Sequence, residues 1–296
     1  MNNIIAAAVQ MDPKIGEIDK NIESVLHFAK EAAQQNAKLI AFPECALTGL
    51  GADSMEETKE IALPRNGDWT NQFNQLTEIH DIYIAVGLLE IVNEQVFNSL
   101  YLFGEGKVLQ IYSKAHLTNL GADRFVEKGD TPFVPAKTKL GKLGLLICYD
   151  SRFPEQSRVL SLQGAQVLLH STNLPMTAND HVDLLLPTRA NENRVYVISA
   201  GRVGVEKGFR FLGRSTIYDL DGSIIAQADG QTETIIYATI DLEAATEKDV
   251  VFPPTPEKPY KQVNSLFTSR RPDLYGEIIK TDDKKVILNE TANVQN

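Results

Sequence analysis

A chain of 296 residues, 43% hydrophobic and 23% charged, has the composition of an ordinary soluble globule able to bury a large core. Its formal charge of −10 excludes a sequence-independent grip on nucleic acid, which needs clustered Lys and Arg, and gives no attraction to anionic membranes. Two cysteines, Cys45 and Cys148, make no disulfide framework and point to a reducing, cytoplasmic setting.

No apolar run approaches the roughly 20 residues of a membrane span. The start lacks the basic region of a secretory signal, so residues 4–11 read as a first buried strand. Ile22, Val25, Leu26, Ala29, Ala32 and Ala33 recur at helical spacing and predict an amphipathic helix over residues 19–36. Residues 38–42 form the next strand, stopped by Pro43, with Glu44 just past its end. Residues 69–80 predict a second helix, in which Trp69 is a packing residue. Three strand-like runs follow, 82–91, 96–103 and 107–113, joined by tight polar connections, and Lys114 lies at the end of the third. Another apolar run ends abruptly at Cys148. Pro154 and Glu155 then open a helix that Gly164 closes, since Pro suits the first helical position and Gly the stop. A strand over 167–170 leads into a loop through Asn173 and Pro175. Residues 180–193 predict a helix that Pro187 kinks or restarts, and 194–201 a strand. Asp221-Gly222 centres a hairpin over 215–228, and 234–242 is the last strand. From Pro253 the sequence turns proline-rich and then charged, the composition of a surface arm. No repeat or linker divides the chain before about residue 250. The alternation predicts an α/β fold of two mixed sheets packed together, with helices on their outer faces.

Glu44, Lys114 and Cys148 each stand at or just past the end of an apolar strand. In open α/β sheets such ends converge on one crevice. A carboxylate there can take a thiol proton, an ammonium can stabilise an oxyanion, and a thiolate can attack a carbon bonded to nitrogen. The helix start after Cys148 and nearby N–H groups are expected to favour its thiolate. Singly, each residue also has a bland reading: a buried small hydrophobe, a solvated loop carboxylate and an exposed lysine. Cys45 could be a redox partner of Cys148, but adjacent residues of an extended chain point opposite ways, which turns it from the cleft. His116 either lines the site or bonds its own loop. Arg152 either binds a substrate carboxylate or buttresses the turn through Asp150 or Glu155. Residues 204–211 are a specificity segment or a solvated connector. The five histidines show no ligand spacing, so no metal site is expected.

The wording around these residues is more specific than their spacing. Phe42-Pro43-Glu44 with Leu47-Thr48-Gly49, Tyr112-Ser113-Lys114-Ala115-His116-Leu117, and Gly144-Leu145-Leu146-Ile147-Cys148-Tyr149-Asp150-Ser151-Arg152-Phe153-Pro154-Glu155 resemble the nitrilase superfamily of carbon–nitrogen hydrolases. The match is closest to its amidase and carbamoylase branches. Arg189-Ala190-Asn191-Glu192-Asn193, Gly213-Arg214-Ser215 and Arg270-Arg271-Pro272-Asp273-Leu274-Tyr275 fit in the same order. The resemblance implies a nitrilase-like α-β-β-α sandwich over residues 1–276 and no metal or organic cofactor, while the composition beyond it predicts a mobile C-terminal tail over 277–296. It also implies a homodimer or higher homo-oligomer. Carried over residue by residue, it makes Glu44 the general base, Lys114 the stabiliser of the tetrahedral intermediate and Cys148 the nucleophile. The backbone N–H of Tyr149 would complete the oxyanion site, and Asn173 falls on the substrate-contacting loop. The family's second glutamate falls on Ala122, so either Asp123 beside it substitutes or no second carboxylate exists.

The expected activity is thiol-dependent hydrolysis of a non-peptide C–N bond in a small linear amide or N-carbamoyl compound, through a thioester. Its partners would be that small molecule and water, with no nucleic acid and no membrane. Hydrolysis of a nitrile by the same triad is the alternative. A non-catalytic interaction protein and a Cys45–Cys148 thiol switch are the readings of other classes.

Overall fold

The computed structural model describes residues 3–281. Most of the expected tail, residues 282–296, lies outside the described residues. The chain forms two compact units, one ending at Lys248 and the other beginning at Asp249.

In chain order the first unit carries strands β1 (Asn3–Gln10), β2 (Ala37–Ala41), β3 (Leu63–Pro64), β4 (Tyr83–Val92), β5 (Gln95–Gly104), β6 (Lys107–Ser113), β7 (Ala136–Lys137) and β8 (Lys142–Ile147). It continues with β9 (Val167–Thr172), β10 (Tyr196–Gly201), β11 (Val205–Glu206), β12 (Phe209–Arg210), β13 (Thr216–Tyr218), β14 (Ile224–Gln227) and β15 (Thr234–Asp241). The helices are α1 (Ile18–Gln34), α2 (Met55–Ile61), α3 (Thr70–His80), α4 (Pro154–Leu162) and α5 (Leu186–Asn193). One sheet runs β15-β1-β2-β4-β5-β6, with β3 beside β4, and the other runs β14-β13-β10-β9-β8-β7. β1, β2 and β4 are mutually parallel, as are β8, β9 and β10, while the hairpin strands are antiparallel. The second unit contains an antiparallel ladder of Asp249–Phe252 with Gln262–Ser265, structure that its proline-rich composition did not announce.

Strand alternation makes the layers. Ala6 and Ala8 of β1, with Leu39 and Ala41 of β2, enter one core cluster with Leu145, Leu169 and Ile198 of the second sheet. Their alternates Ala7, Val9, Ile40 and Phe42 pack instead with Ile22, Val25, Leu26 and Ala29 of α1 and Phe73 of α3. Trp69 joins that outer layer, edge-on to Phe73, Tyr101 and Phe103, which is the packing role expected of it. Leu160 of α4 and Leu186 and Ala190 of α5 cover the second sheet. The result is the expected α-β-β-α sandwich. Small residues on the facing surfaces let the sheets approach closely, and the Ser171 hydroxyl crosses between them to the Phe42 carbonyl at 2.7 Å.

Helix α2 was not expected from the sequence. The predicted helix over 180–193 divides into a wide π turn, His181–Leu185, and α5, with Pro187 in the first turn of α5, where its missing N–H costs little.

Candidate active site

Three strand ends deliver the expected side chains. β2 ends at Ala41, Phe42 and Pro43 follow, and the chain turns sharply at Glu44, whose neighbour Cys45 has a positive φ of 48°. β4 passes directly beneath this turn: a Cβ on Gly87 would lie 2.8 Å from the Glu44 Cα, so only glycine fits there. Lys114 follows β6, with its N–H bonded to the Asn98 carbonyl at 2.8 Å. Gly129 donates to the Lys114 carbonyl at 2.9 Å, and any Cβ on it would strike the Ser113 carbonyl at 2.0 Å. Cys148 follows β8 with a φ of 46°, a left-handed backbone that costs a non-glycine residue energy and marks a sharp elbow.

Glu44, Lys114, Cys148, Tyr149 and Asn173 all line one cavity of about 640 Å³. Lys114 is buried, and its ammonium bonds Glu44 Oε1 and Asp123 Oδ2, each at 2.7 Å. The side-chain amide of Asn98 donates to the same two groups, Glu44 Oε1 at 2.8 Å and Asp123 Oδ1 at 2.9 Å. A closed square of two carboxylates, one ammonium and one amide results. Asp123 also accepts from the N–H and hydroxyl of Thr118, at 3.1 and 3.0 Å. Thus Asp123 stands behind Lys114, its carboxylate in direct contact with the ammonium. Burial works to lower the Lys114 pKa, but Asp123 and Glu44 outweigh it and hold the ammonium well above its ordinary range. Burial likewise opposes the ionised form of Asp123, and the Lys114 charge and hydrogen bonds reverse this to keep its pKa low.

Cys148 departs from expectation. Burial first, and then the Glu44 charge, push its thiol up to about 12, against the pull of Lys114, the Thr172 hydroxyl and the Asn173 N–H. The resting group is a protonated thiol, not the favoured thiolate that the helix start suggested. The Thr172 hydroxyl itself makes no geometrically sound hydrogen bond, so its pull on the sulfur is that of a neighbour.

Asn173 lines the cavity and also holds Glu44. Its N–H donates to Glu44 Oε2 at 3.0 Å and its side-chain amide to the Glu44 carbonyl at 2.9 Å, so it orients the carboxylate from the opposite sheet. The Cys148 carbonyl accepts from the Ser151 hydroxyl at 2.8 Å and from His170 Nε2 at 3.0 Å. A carbonyl only accepts, so His170 carries its proton on Nε2, and Nδ1 accepts from the Ser199 hydroxyl at 2.9 Å. Burial lowers His170 to about 4, which keeps it neutral.

Asp150 ties the nucleophile turn to the lysine loop. It accepts from the Tyr112 hydroxyl at 2.7 Å, the Ile147 N–H at 3.0 Å, and the His116 N–H and ring at 3.2 and 2.7 Å. His116 stacks on Phe153 with centroids 3.9 Å apart, and so takes the structural of its two readings. Arg152 pairs with Asp180 at 2.6 Å rather than with Asp150 or Glu155. Both cysteines are free, and the Cys45 thiol is directed to Asn98 Oδ1 at 3.6 Å. The 204–211 segment contains the short hairpin β11–β12, and Glu206, Phe209 and Phe211 line the cavity. Asn98 was absent from the sequence reading. Its signal was Asn98-Ser99, two polar residues interrupting an otherwise apolar strand, both buried.

The carbon-nitrogen hydrolase family model matches residues 5–248, which is nearly the whole first unit. The chain belongs to the carbon–nitrogen hydrolase family. This hydrolase is 34% identical over 271 residues to a nitrilase of Pyrococcus abyssi, covering 91% of this chain and 98% of the relative. It is 35% identical over 240 residues to an omega-amidase of Xenopus tropicalis, covering 77% and 85%. A carbon-nitrogen hydrolase structure from Helicobacter pylori shares the fold at a TM-score of 0.79 and 23% identity, covering 94% of this chain and 99% of that one. Among the described residues no helix is long and apolar enough to cross a membrane.

Proposed function

We propose that this hydrolase cleaves the C–N bond of a small linear amide or N-carbamoyl compound through a thioester on Cys148. The observation that carries the reading is the buried square in which Lys114 is shared by Glu44 and Asp123, opening on the same cavity as the Cys148 elbow. A cluster of ionised groups this deep costs folding energy, and the chemistry of acyl transfer uses each member.

With the thiol protonated at rest, attack and deprotonation go together. Glu44 takes the thiol proton as the sulfur bonds the substrate carbon. The carbonyl electron pair moves to oxygen, where the Lys114 ammonium and the Tyr149 backbone N–H receive it. Glu44 then gives the proton to the substrate nitrogen, the C–N bond breaks, and ammonia or an amine leaves. In the second half Glu44 takes a proton from water, the hydroxide adds to the thioester, and Cys148 departs and regains its proton. Asp123 keeps Lys114 paired while Glu44 is neutral, and so preserves the ammonium at the moment the oxyanion needs it.

The likeness to a protein named a nitrilase supports a second reading, in which the same triad attacks a nitrile carbon. Ammonia release from matched amides, N-carbamoyl amines and nitriles separates the two, and intact-mass detection of an acyl adduct on Cys148 tests the intermediate. Turnover of nitriles alone would replace the first reading with the second. An adduct elsewhere, or turnover retained in Cys148→Ala, would sink both.

A further inference from the structure

The cavity beyond the cysteine has two properties that bear on its ligand. Its volume, about 640 Å³, lies in the range that encloses a whole small molecule rather than a single functional group. Away from the catalytic square its wall is largely apolar, with Leu50, Leu117, Leu174, Pro175, Phe209 and Phe211. Phe209 and Phe211 alternate with Arg210 at β12, so the two rings share one face of the chain and the guanidinium takes the other.

The cations in that wall already face acids. Glu44, Asp180 and Glu206 line it against Lys114 and Arg152, so carboxylates outnumber cations. Lys114 is held by two carboxylates, and Arg152 pairs with Asp180. At the rim, Lys207 pairs with Asp53 and Glu57, and Arg124 with Asp53. Glu206 is itself buried: its Oε1 takes the Leu50 and Gly51 N–H groups at 3.2 and 2.7 Å and lies 2.8 Å from Arg202 Nη1. These bonds fasten the β11–β12 hairpin to the loop after Glu44, so the aromatic pair is a fixed wall. A carboxylate at the far end of a substrate would lose its hydration and find each of these cations already facing an acid. An ammonium would be drawn to the same acids, but each already faces a cation, and it would give up its hydration against a wall that is largely apolar.

We infer that the cavity selects an amide whose distal chain is uncharged and apolar, with Phe209 and Phe211 as the residues that read its length. This rests on the amide-hydrolase reading above. It goes further by excluding the acid-ended and amine-ended amides that the reading leaves open.

The test uses three amides of equal length, hexanamide, adipamic acid and 6-aminohexanamide, with acetamide and butanamide as shorter probes. For the full chain, kcat/KM is expected to rise about two- to fourfold per methylene from acetamide to hexanamide, the worth of burying each group. Adipamic acid and 6-aminohexanamide are each expected at least about tenfold below hexanamide, since each charged end would lose hydration against a largely apolar wall whose ionic groups are already paired. Phe209→Ala, at a half-exposed position that does not threaten folding, is expected to lower kcat/KM for hexanamide more than for acetamide. Either charged amide matching or exceeding hexanamide overturns the inference, as does a flat chain-length series. Isothermal titration of the same amides into Cys148→Ala reads the cavity without the chemistry. Hexanamide binding there, with no ammonia released by the unaltered enzyme from any probe, upholds the cavity assignment and removes the hydrolase reading. Preferential binding of adipamic acid removes the cavity assignment alone.

Discussion

Asn98 donates to the same two carboxylates as Lys114, so a neutral amide and an ammonium act as twin spacers between Glu44 and Asp123. The amide supplies hydrogen bonds without charge, which leaves the cluster with one negative charge in excess. Within that cluster it is the Glu44 charge that, after burial, raises the Cys148 thiol, while Lys114 lowers it. Replacing Asn98 with Asp puts a third carboxylate against one ammonium. Asn98→Asp is expected to lower kcat at least about tenfold, the worth of one charge-assisted hydrogen bond. It is also expected to move the acid limb of the pH–rate profile upward, because the added charge makes the cluster hold a proton more tightly. An unmoved acid limb with full kcat would show that the amide's neutrality is irrelevant.

The Glu44 charge has opposite effects on resting thiol chemistry and on turnover. It raises the thiol pKa, so its removal lowers that pKa and increases the thiolate present near neutrality. Glu44→Gln is therefore expected to react faster than the unaltered enzyme with a small methanethiosulfonate, while amide turnover falls by at least about a thousandfold. Slower thiol modification in the variant would refute the electrostatic account.

His170 gives a pH dependence of stability with a definite sign. Its folded pKa of about 4 lies below the ordinary value of 6.5, so the unfolded chain binds the extra proton between those values. Stability is then complete above about pH 6.5 and declines as the pH falls toward 4, by up to about 3 kcal/mol from this group. His181, lowered to about 4 chiefly by burial, adds a loss in the same window. Asp123, with its depressed pKa, adds a loss in the same direction as the acid range is entered. Urea titrations at pH 7 and pH 5 check this, and His170→Gln is expected to flatten the slope between them. A slope unchanged in His170→Gln would assign the acid lability elsewhere.

Asp150 joins the two loops that carry Lys114 and Cys148. Asp150→Ala leaves the Ile147 and His116 N–H groups and the His116 ring without their acceptor, and the Tyr112 hydroxyl with only Gln156 Oε1 at 3.3 Å. The expected cost is about 3 kcal/mol or more in chemical denaturation, with kcat reduced in whatever protein remains folded. A variant with unaltered stability would mean that the two loops are held by packing alone.

The three strand-end residues were legible because strand ends are easy to place and the words around them are long. What the sequence hid was depth. The sign of each neighbour of Cys148 could be read, but burial outweighs them all, and burial is a property of the assembled sandwich. Cys45 was expected to face away on the assumption of an extended chain, whereas its left-handed backbone places it in a turn, where its thiol meets Asn98. Asn173 was placed on the substrate-contacting loop by resemblance; its two bonds to Glu44 could not be read from the sequence, because they cross from one sheet to the other. Helix α2 has few apolar residues and so little periodicity. Its cue was Ser54 followed three positions later by Glu57, and the Ser54 side chain does accept from the Glu57 N–H at 3.1 Å.

Glu44 and Lys114 ride on one sheet while Cys148 and Asn173 ride on the other, and the Asn173–Glu44 and Ser171–Phe42 hydrogen bonds stitch the seam. Neither half of the sandwich holds a working centre alone. A refolding chain would thus recover its secondary structure before its catalytic power, and the interval between the two would time the docking of one layer on the other.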